Sequence, residues 1–377
     1  MGGWEQWLTD EAVRRDAAGL TRRLRTRGPD DDVINLAGND YLGLSRHPLV
    51  VEAASEAART WGAGAGASRL VTGTLALHET LERELADFLG QPAALVMSTG
   101  YHANLAAVTA LADRDTLIVS DAHIHASLID AARLSRAEIV VTPHGDVDAV
   151  GAALSGAGGR RRAIVLAESI YSVLGDAAPL VGLSEVCATH DALLVVDEAH
   201  GLGIAGTAGE GLVRALGLAA QPHVVVTATL SKALGAQGGA VLGSPQLIHH
   251  LVNRARPFIF DTALAPAPTA GALAALRVLR EQPELTSLVA ARVASLSSQL
   301  GVDEPAGAVL SVPMASPHVA LAAQAECLEH GVRVGCFRPP SVPDGISRLR
   351  ITTNAGVPPD AWDRAREVLT KVVEAHR

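Results

Sequence analysis

Chemistry-bearing residues cluster in a few short stretches. The stretch Thr229-Leu230-Ser231-Lys232-Ala233-Leu234-Gly235 follows the apolar run Val224 to Thr227 and precedes Gly238-Gly239. A lysine at a strand end, flanked by hydroxyls and small residues, is placed to form a Schiff base while the hydroxyls hold a phosphate. Read alone, Lys232 is as readily a surface lysine. Upstream, Leu193-Leu194-Val195-Val196-Asp197-Glu198-Ala199-His200-Gly201 sets an acid directly after a buried strand. Ligands gather at that carboxyl edge of an open sheet, and an Asp there can keep a pyridinium nitrogen protonated. A helix N-cap is the plainer role for Asp197, and a packed core histidine for His200.

Two further stretches follow the same logic. In Ser98-Thr99-Gly100-Tyr101-His102-Ala103-Asn104, a strand gives way to a helix whose first N–H groups, approached closely through Gly100, form a phosphate site. His125, in Asp121-Ala122-His123-Ile124-His125-Ala126-Ser127, can stack on a flat heteroaromatic ring or cap the next helix, and the cap is the simpler reading.

The elements that must position these groups are legible as apolar runs of strand length: Ala94 to Met97, Thr116 to Val119, Ile139 to Thr142, Ala163 to Ala167, Leu193 to Val196, Val224 to Thr227 and Gly239 to Leu242. Helical patterns alternate with them, which predicts a mostly parallel seven-stranded sheet between helices. Thr99 to Tyr101, His125, Glu168, Ser172, Asp197, His200, Thr229 and Lys232 fall just after successive strands, in chain order. Glu11 to Arg25 reads as an amphipathic helix ended by the break at Gly28 to Asp31. Ala270 to Glu281 and Leu285 to Leu300 read as helices after the prolines 257, 266 and 268. The expected division is an N-terminal arm over 1–44, a large domain over 45–272 and a smaller C-terminal α+β domain over 273–377.

With this order of motifs the sequence resembles the α-oxoamine synthases, a branch of the fold-type I pyridoxal-phosphate enzymes. The likeness runs from Asn39-Asp40-Tyr41-Leu42-Gly43 through Ser68-Arg69-Leu70-Val71-Thr72-Gly73 to Arg348-Leu349-Arg350-Ile351-Thr352. It implies an α/β fold-type I transferase binding pyridoxal 5'-phosphate. Lys232 would bear the cofactor, His125 stack on its ring and Asp197 pair with the ring nitrogen. Gly100, Tyr101, Glu168, Ser172, His200 and Thr229 would contact the phosphate or ring, and Arg22, Asn39, His125, Arg338, Ser341 and Arg350 the substrate. Catalysis would fall to Lys232, His125, Asp197 and His200.

Two segments, Arg338-Pro339-Pro340-Ser341-Val342-Pro343 and Phe258-Ile259-Phe260-Asp261-Thr262-Ala263-Leu264, are most similar to those of family members in biotin synthesis. They imply L-alanine and a pimeloyl thioester, pimeloyl-CoA or pimeloyl-acyl carrier protein, as substrates, and a homodimer. Relatives using glycine with acetyl-CoA or succinyl-CoA, or serine with a long acyl thioester, are the alternatives. Ser341 stands where the family usually has Thr, and Thr353-Asn354-Ala355-Gly356 lacks the usual Ala-Ala-His.

Composition narrows the field. The 377 residues carry 31 basic and 40 acidic side chains, a net charge of −9, which disfavours a nucleic-acid surface. Asp197-Glu198-Ala199-His200 matches the box of certain helicases, but no GxxxxGK[ST] loop accompanies it. A family member without catalysis, serving as a binding module, fits poorly with Lys232 and Asp197 both in place. Cys187, Cys327 and Cys336 suit neither a disulfide framework nor a metal site, so no metal and a reducing cytoplasm are expected. The longest uncharged stretch, Gly90 to Ala112, is broken by Pro92, Ser98, Thr99, Gly100, His102 and Asn104, so no membrane span is expected. Met1 to Asp10 lacks an apolar export core.

Overall fold

The computed structural model describes residues 2–22, 24–29, 31–156, 162–339, 341–342 and 344–377. Arg23, Asp30, Pro340 and Pro343, which belong to segments singled out above, lie outside the described residues. The first strand, β1 (Ile34–Leu36), stands apart from the seven that follow. These are β2 (Ala93–Met97), β3 (Thr116–Asp121), β4 (Glu138–Thr142), β5 (Arg162–Glu168), β6 (Ala192–Asp197), β7 (Val224–Thr229) and β8 (Gly239–Gly243). They form one sheet in the order β2-β8-β7-β6-β5-β3-β4. Only β8 runs against its neighbours. All seven expected strands are present, each within two residues of its apolar run.

Every residue of β3, β7 and β8 is buried. Successive strand side chains point to opposite faces, so both faces must be covered. Helix Gly100–Leu111 packs on β7 and β8, Leu180–Thr189 on β6 and Ala76–Phe88 on β2. Aliphatic side chains such as Leu194, Val195 and Val196 are fully shielded, each worth about 1.5–3 kcal/mol of burial. Where the apolar runs stop, polar residues begin. Asp121, Glu168, Asp197 and Thr229 are the last residues of β3, β5, β6 and β7, all at the carboxyl edge.

A second sheet of four strands joins β1 to β9 (Val309–Pro313), β10 (Val332–Phe337) and β11 (Arg348–Thr352) in the order β1-β10-β11-β9. β1 lies parallel to β10, pairing Ile34 with Val332, so the N-terminal segment and the last fifty residues share a sheet. Helix Pro266–Glu281 runs through the expected boundary near Leu273 and packs on helices Pro48–Trp61 and Ala76–Phe88. It starts four residues earlier than the sequence suggests, since prolines are tolerated in a first turn whose N–H groups lack helical partners anyway.

The N-terminal helix differs more, spanning Gly3–Ala17 and not 11–25. No residue in it is buried, so no apolar face fixes its extent. It ends where Gly19 takes φ 65° and the N–H groups of Gly19 and Leu20 close on Asp16 and Arg15 carbonyls.

Candidate active site

Strand register assembles the site. β5, β6 and β7 align Glu168 with Asp197 and Asp197 with Thr227, and Lys232 follows three residues after β7 ends at Thr229. The turn from Leu230 to Gly238 is pinned by Leu230 N–H to the Gly238 carbonyl and Ala236 N–H to the Leu230 carbonyl, and Gly235 takes φ 59° within it. Its Lys232 Nζ lies 2.9 Å from His200 Nε2. Burial pushes the ammonium down to about 8, against the opposing pull of Asp197 and Glu168. Near neutrality this lysine therefore gives up its proton far more readily than an ordinary one.

Asp197 is 5% exposed and carries two donors: Asn104 Nδ2 at 2.7 Å on Oδ2 and Ala199 N–H at 2.9 Å on Oδ1. A turn follows it, so the helix N-cap alternative is not what the chain adopts. Asn104 also donates to Ser127 Oγ at 2.8 Å and accepts from Thr227 Oγ1 at 2.6 Å. Ser127 in turn donates to Nδ1 of His125, through its hydroxyl at 2.7 Å and its N–H at 3.3 Å. His125 thus caps helix Ala126–Ser135 as the simpler reading held, and it still faces the Asp197 side of the site. Its imidazole is pushed below the ordinary range, chiefly by burial. Asn104 locks Asp197 and His125 together, and no sequence argument assigned it that task. Its only signal is position, one helical turn past Gly100 on the same face.

The head of helix Gly100–Leu111 abuts the end of β7. A Cβ at Gly100 would sit 2.8 Å from Thr229 Cβ, and one at Gly239 would sit 2.4 Å from the Thr99 carbonyl oxygen. Glycine is required for this approach. Thr99 caps His102 N–H at 3.1 Å, so the Gly100 and Tyr101 amides sit at the positive end of the helix beside the Thr229 hydroxyl. The Thr229 hydroxyl lies 2.7 Å from Ser231 Oγ. Tyr101 donates to Asp130 Oδ2 at 2.6 Å and remains exposed.

Glu168 accepts the Ser172 N–H at 3.1 Å on Oε2, whereas its buried Oε1 has no side-chain hydrogen-bond partner among the described residues. Burial, reinforced by the charge of Asp197, pushes this carboxyl up to about 8. His200 is held neutral, its pKa driven far below the ordinary value by burial and then by the cations Lys232 and Arg350. Its Nδ1 lies 2.7 Å from Tyr41 Oη, a hydroxyl with no solvent exposure.

The second sheet contributes Arg350 from β11. Its guanidinium donates to the Ser172 carbonyl at 3.0 Å and to Asn39 Oδ1 at 3.1 Å, beside the Phe337 ring at 5.2 Å. Asn39, Ser172 and Arg350 therefore meet, although 311 residues separate the first from the last. Arg22, Arg338 and Ser341 form a distinct cluster beside Phe337. Arg22 donates to Ser341 Oγ at 2.8 Å, Arg338 donates to the Gly19 carbonyl, and all three line a cavity of about 160 Å³ that Phe337 also lines.

Behind the site, His144 bridges Asp121 and Asp176 at 2.8 Å each and stacks on His123 at 3.9 Å. Burial alone would lower its pKa, but the two carboxylates push it up to about 9. The charged ring ties the strand end leading to His125 to the turn carrying Ser172. Among the described residues no group of three or more His, Cys, Asp or Glu could hold a metal ion, and no helix is long and apolar enough to cross a membrane.

These residues fit pyridoxal phosphate. The Gly100–Thr229 approach leaves a cradle that a Cβ would fill, Glu168 Oε1 is orphaned in the same region, and a readily deprotonated lysine and a fixed carboxylate complete the donor set.

Comparison with known proteins agrees. Residues 31–369 match the family model "Aminotransferase class I and II". A protein of Mycolicibacterium smegmatis named 8-amino-7-oxononanoate synthase is 56% identical over 98% of this chain and 97% of its own length. One of the same name from Mycolicibacterium gilvum is 55% identical, covering 97% of each. Among solved structures, a serine palmitoyltransferase of Sphingomonas wittichii superposes with TM-score 0.90 at 27% identity over 99% of this chain and 98% of its own. An 8-amino-7-oxononanoate synthase of Francisella tularensis gives 0.78 at 25% over 92% and 99%. The α/β fold-type I architecture read from the sequence is the one these proteins share.

Proposed function

The chain belongs to the 8-amino-7-oxononanoate synthases, within the class I and II aminotransferase family, and from that premise we propose how its residues carry out their reaction. The enzyme condenses L-alanine with a pimeloyl thioester to give 8-amino-7-oxononanoate, carbon dioxide and the free thiol. Pyridoxal phosphate, its cofactor, supplies a positively charged ring that spreads the electron pair left when the alanine Cα proton departs.

The chain's own groups do the rest. Lys232 would hold the cofactor, and its amine would take the alanine Cα proton; an amine pushed down to about 8 suits both tasks. Asp197 holds the ring nitrogen protonated, and Asn104 keeps that carboxylate from turning away. His125 would contact the cofactor ring, backed by Ser127. The Gly100 and Tyr101 amides, with the Thr229 hydroxyl, hold the phosphate, while Glu168, Ser172 and His200 line the ring's edge. Arg350 would grip the alanine carboxylate as a fork, with Asn39 steadying the guanidinium, and so orient the substrate's Cα. Arg22, Arg338 and Ser341, beside Phe337, receive the acyl donor.

The carrying observation is the strand register that sets Glu168, Asp197 and Thr227 side by side, next to the Lys232 turn. Within the chain, the arm (1–44) lends β1 and Asn39, the body (45–272) holds the cofactor, and the C-terminal domain (273–377) brings Arg350. The protein works as a cytoplasmic homodimer, without nucleic acid or membrane.

Product analysis tests this reading. Alanine with pimeloyl-CoA or pimeloyl-acyl carrier protein should release thiol faster than glycine with acetyl-CoA or succinyl-CoA, or serine with palmitoyl-CoA. Faster turnover of any rival pair overturns it.

A further inference from the structure

One buried hydroxyl touches the site without a task. Tyr41 is fully buried, and its Oη lies 2.7 Å from His200 Nδ1 and 3.3 Å from Asn39 Oδ1. Arg350 Nη1 donates to that same Asn39 oxygen at 3.1 Å, and Lys232 Nζ lies 2.9 Å from the other nitrogen of His200. A continuous chain results: Lys232, His200, Tyr41, Asn39, Arg350.

The Arg350 end of that chain fixes its direction. A guanidinium can only donate and an amide oxygen can only accept. Asn39 Oδ1 therefore receives both Arg350 and the Tyr41 hydroxyl, and Tyr41 Oη, its one hydrogen spent, accepts from His200 Nδ1–H. A neutral His200 then turns the lone pair of Nε2 toward Lys232, whether that nitrogen is free or holds the cofactor. Each hydrogen in the chain has one place to go, and every acceptor has lone pairs enough.

We propose that Tyr41 is a positioning residue: it fixes the tautomer of His200 and thereby couples the Arg350 end of the site, where the amino-acid carboxylate binds, to the Lys232 end, where the proton moves. A carboxylate arriving on Arg350 draws that guanidinium toward itself and relaxes its hold on Asn39. The Asn39 oxygen then accepts more strongly from Tyr41, and the change passes through His200 to Lys232. The inference rests on the roles of Lys232, His200 and Arg350 given above. The charged or titratable groups facing His200 are Lys232, Arg350, His125 and Tyr41, and Tyr41 is the one bonded to Nδ1, its removal altering no charge near neutral pH.

The test uses purified holoenzyme and three variants: Tyr41→Phe, His200→Asn and the double variant. The cofactor's visible absorbance is titrated against pH with and without L-alanine. Tyr41→Phe should move the midpoint by about half to one pH unit, a roughly three- to tenfold change in proton affinity on losing one neutral hydrogen bond. The displacement caused by alanine should shrink in the same variant, while the KM for alanine changes less than about threefold. In the double variant the midpoint should equal that of His200→Asn alone, because Tyr41 acts only through that ring. A parental midpoint in Tyr41→Phe, or additive displacements in the double variant, overturns the inference. If Tyr41→Phe does not fold, Asn39→Ala removes the acceptor for Tyr41 and must itself reduce the alanine-induced displacement. The parent's own visible band reports separately on the cofactor reading, so the two cannot fail together unnoticed.

Discussion

The carboxyl edge of the large sheet and the Arg22–Arg338–Ser341 cluster are built on opposite terms. At the sheet edge, polar residues close buried strands, and Asn104 alone joins Ser127, Asp197 and Thr227 by hydrogen bonds of 2.6 to 2.8 Å. The cluster beside Phe337 hangs on an exposed Arg22 donating to Ser341 and on Arg338 donating to the Gly19 carbonyl, each pair 319 residues apart. A group whose charge must sit against a reacting ring is fixed before anything binds, whereas groups receiving a long acyl donor can be gathered when it arrives. Substitutions at the edge should therefore strike turnover, and those at the cluster should strike donor affinity.

Asp197→Asn should break this contrast hardest if it is false. An amide cannot hold the ring nitrogen protonated, and losing a charge partner in a dry site costs about 3–5 kcal/mol, a drop in kcat of roughly 200- to 5,000-fold. Near-normal exchange of the alanine Cα proton with solvent in this variant would remove Asp197 from its role. Asn104→Ala should come next. It leaves Asp197 Oδ2 and Thr227 each short of a partner, at a cost of about 1–3 kcal/mol, and should lower kcat by roughly 5- to 150-fold with the acyl donor's KM unchanged. A rise in that KM alone would place Asn104 elsewhere in the mechanism.

Rigidity at the edge also has a pH signature. His144 is raised from 6.5 to about 9, so its bridge stabilises the fold fully below pH 6.5 and is lost as pH rises through 9. Because Asp176 is 44% exposed, screening leaves about 1–2 kcal/mol of that. Denaturant unfolding at pH 6.5 and 9.5 should show the parent losing that much more stability than His144→Gln, and equal losses would dismiss the bridge. The smallest effect belongs to the cluster. Arg22→Ala should raise the pimeloyl donor's KM by roughly two- to fivefold with kcat and the unfolding midpoint unchanged, a shift of under about 1 kcal/mol. A large fall in kcat would mean that Arg22 belongs with the preorganised groups.

The same contrast governs how much could be read in the sequence. Strands buried on both faces appear as continuous apolar runs, so all seven were legible, and the residue types just past their ends pointed to Lys232, Asp197 and His125. What joins those residues was not legible. Asn104 looks like any helix residue until β6, β7 and helix Ala126–Ser135 close around it, and Tyr41 meets His200 across 159 positions. β1 is too short to signal that it pairs with β10. The N-terminal helix, with no buried residue, had no periodic face to mark its ends. The α-oxoamine synthase resemblance grouped Arg22, Asn39, Arg338, Ser341 and Arg350 as substrate contacts, whereas in the fold Arg350 and Asn39 sit with Ser172 and the other three stand apart.

Borohydride reduction of the purified holoenzyme, followed by peptide mapping, tests the central assignment most directly. The parent should carry the reduced pyridoxyl group on Lys232 and on no other lysine, and Lys232→Ala should bind the cofactor weakly and carry no label. A label on another lysine, or an unchanged label in Lys232→Ala, would contradict the site described here.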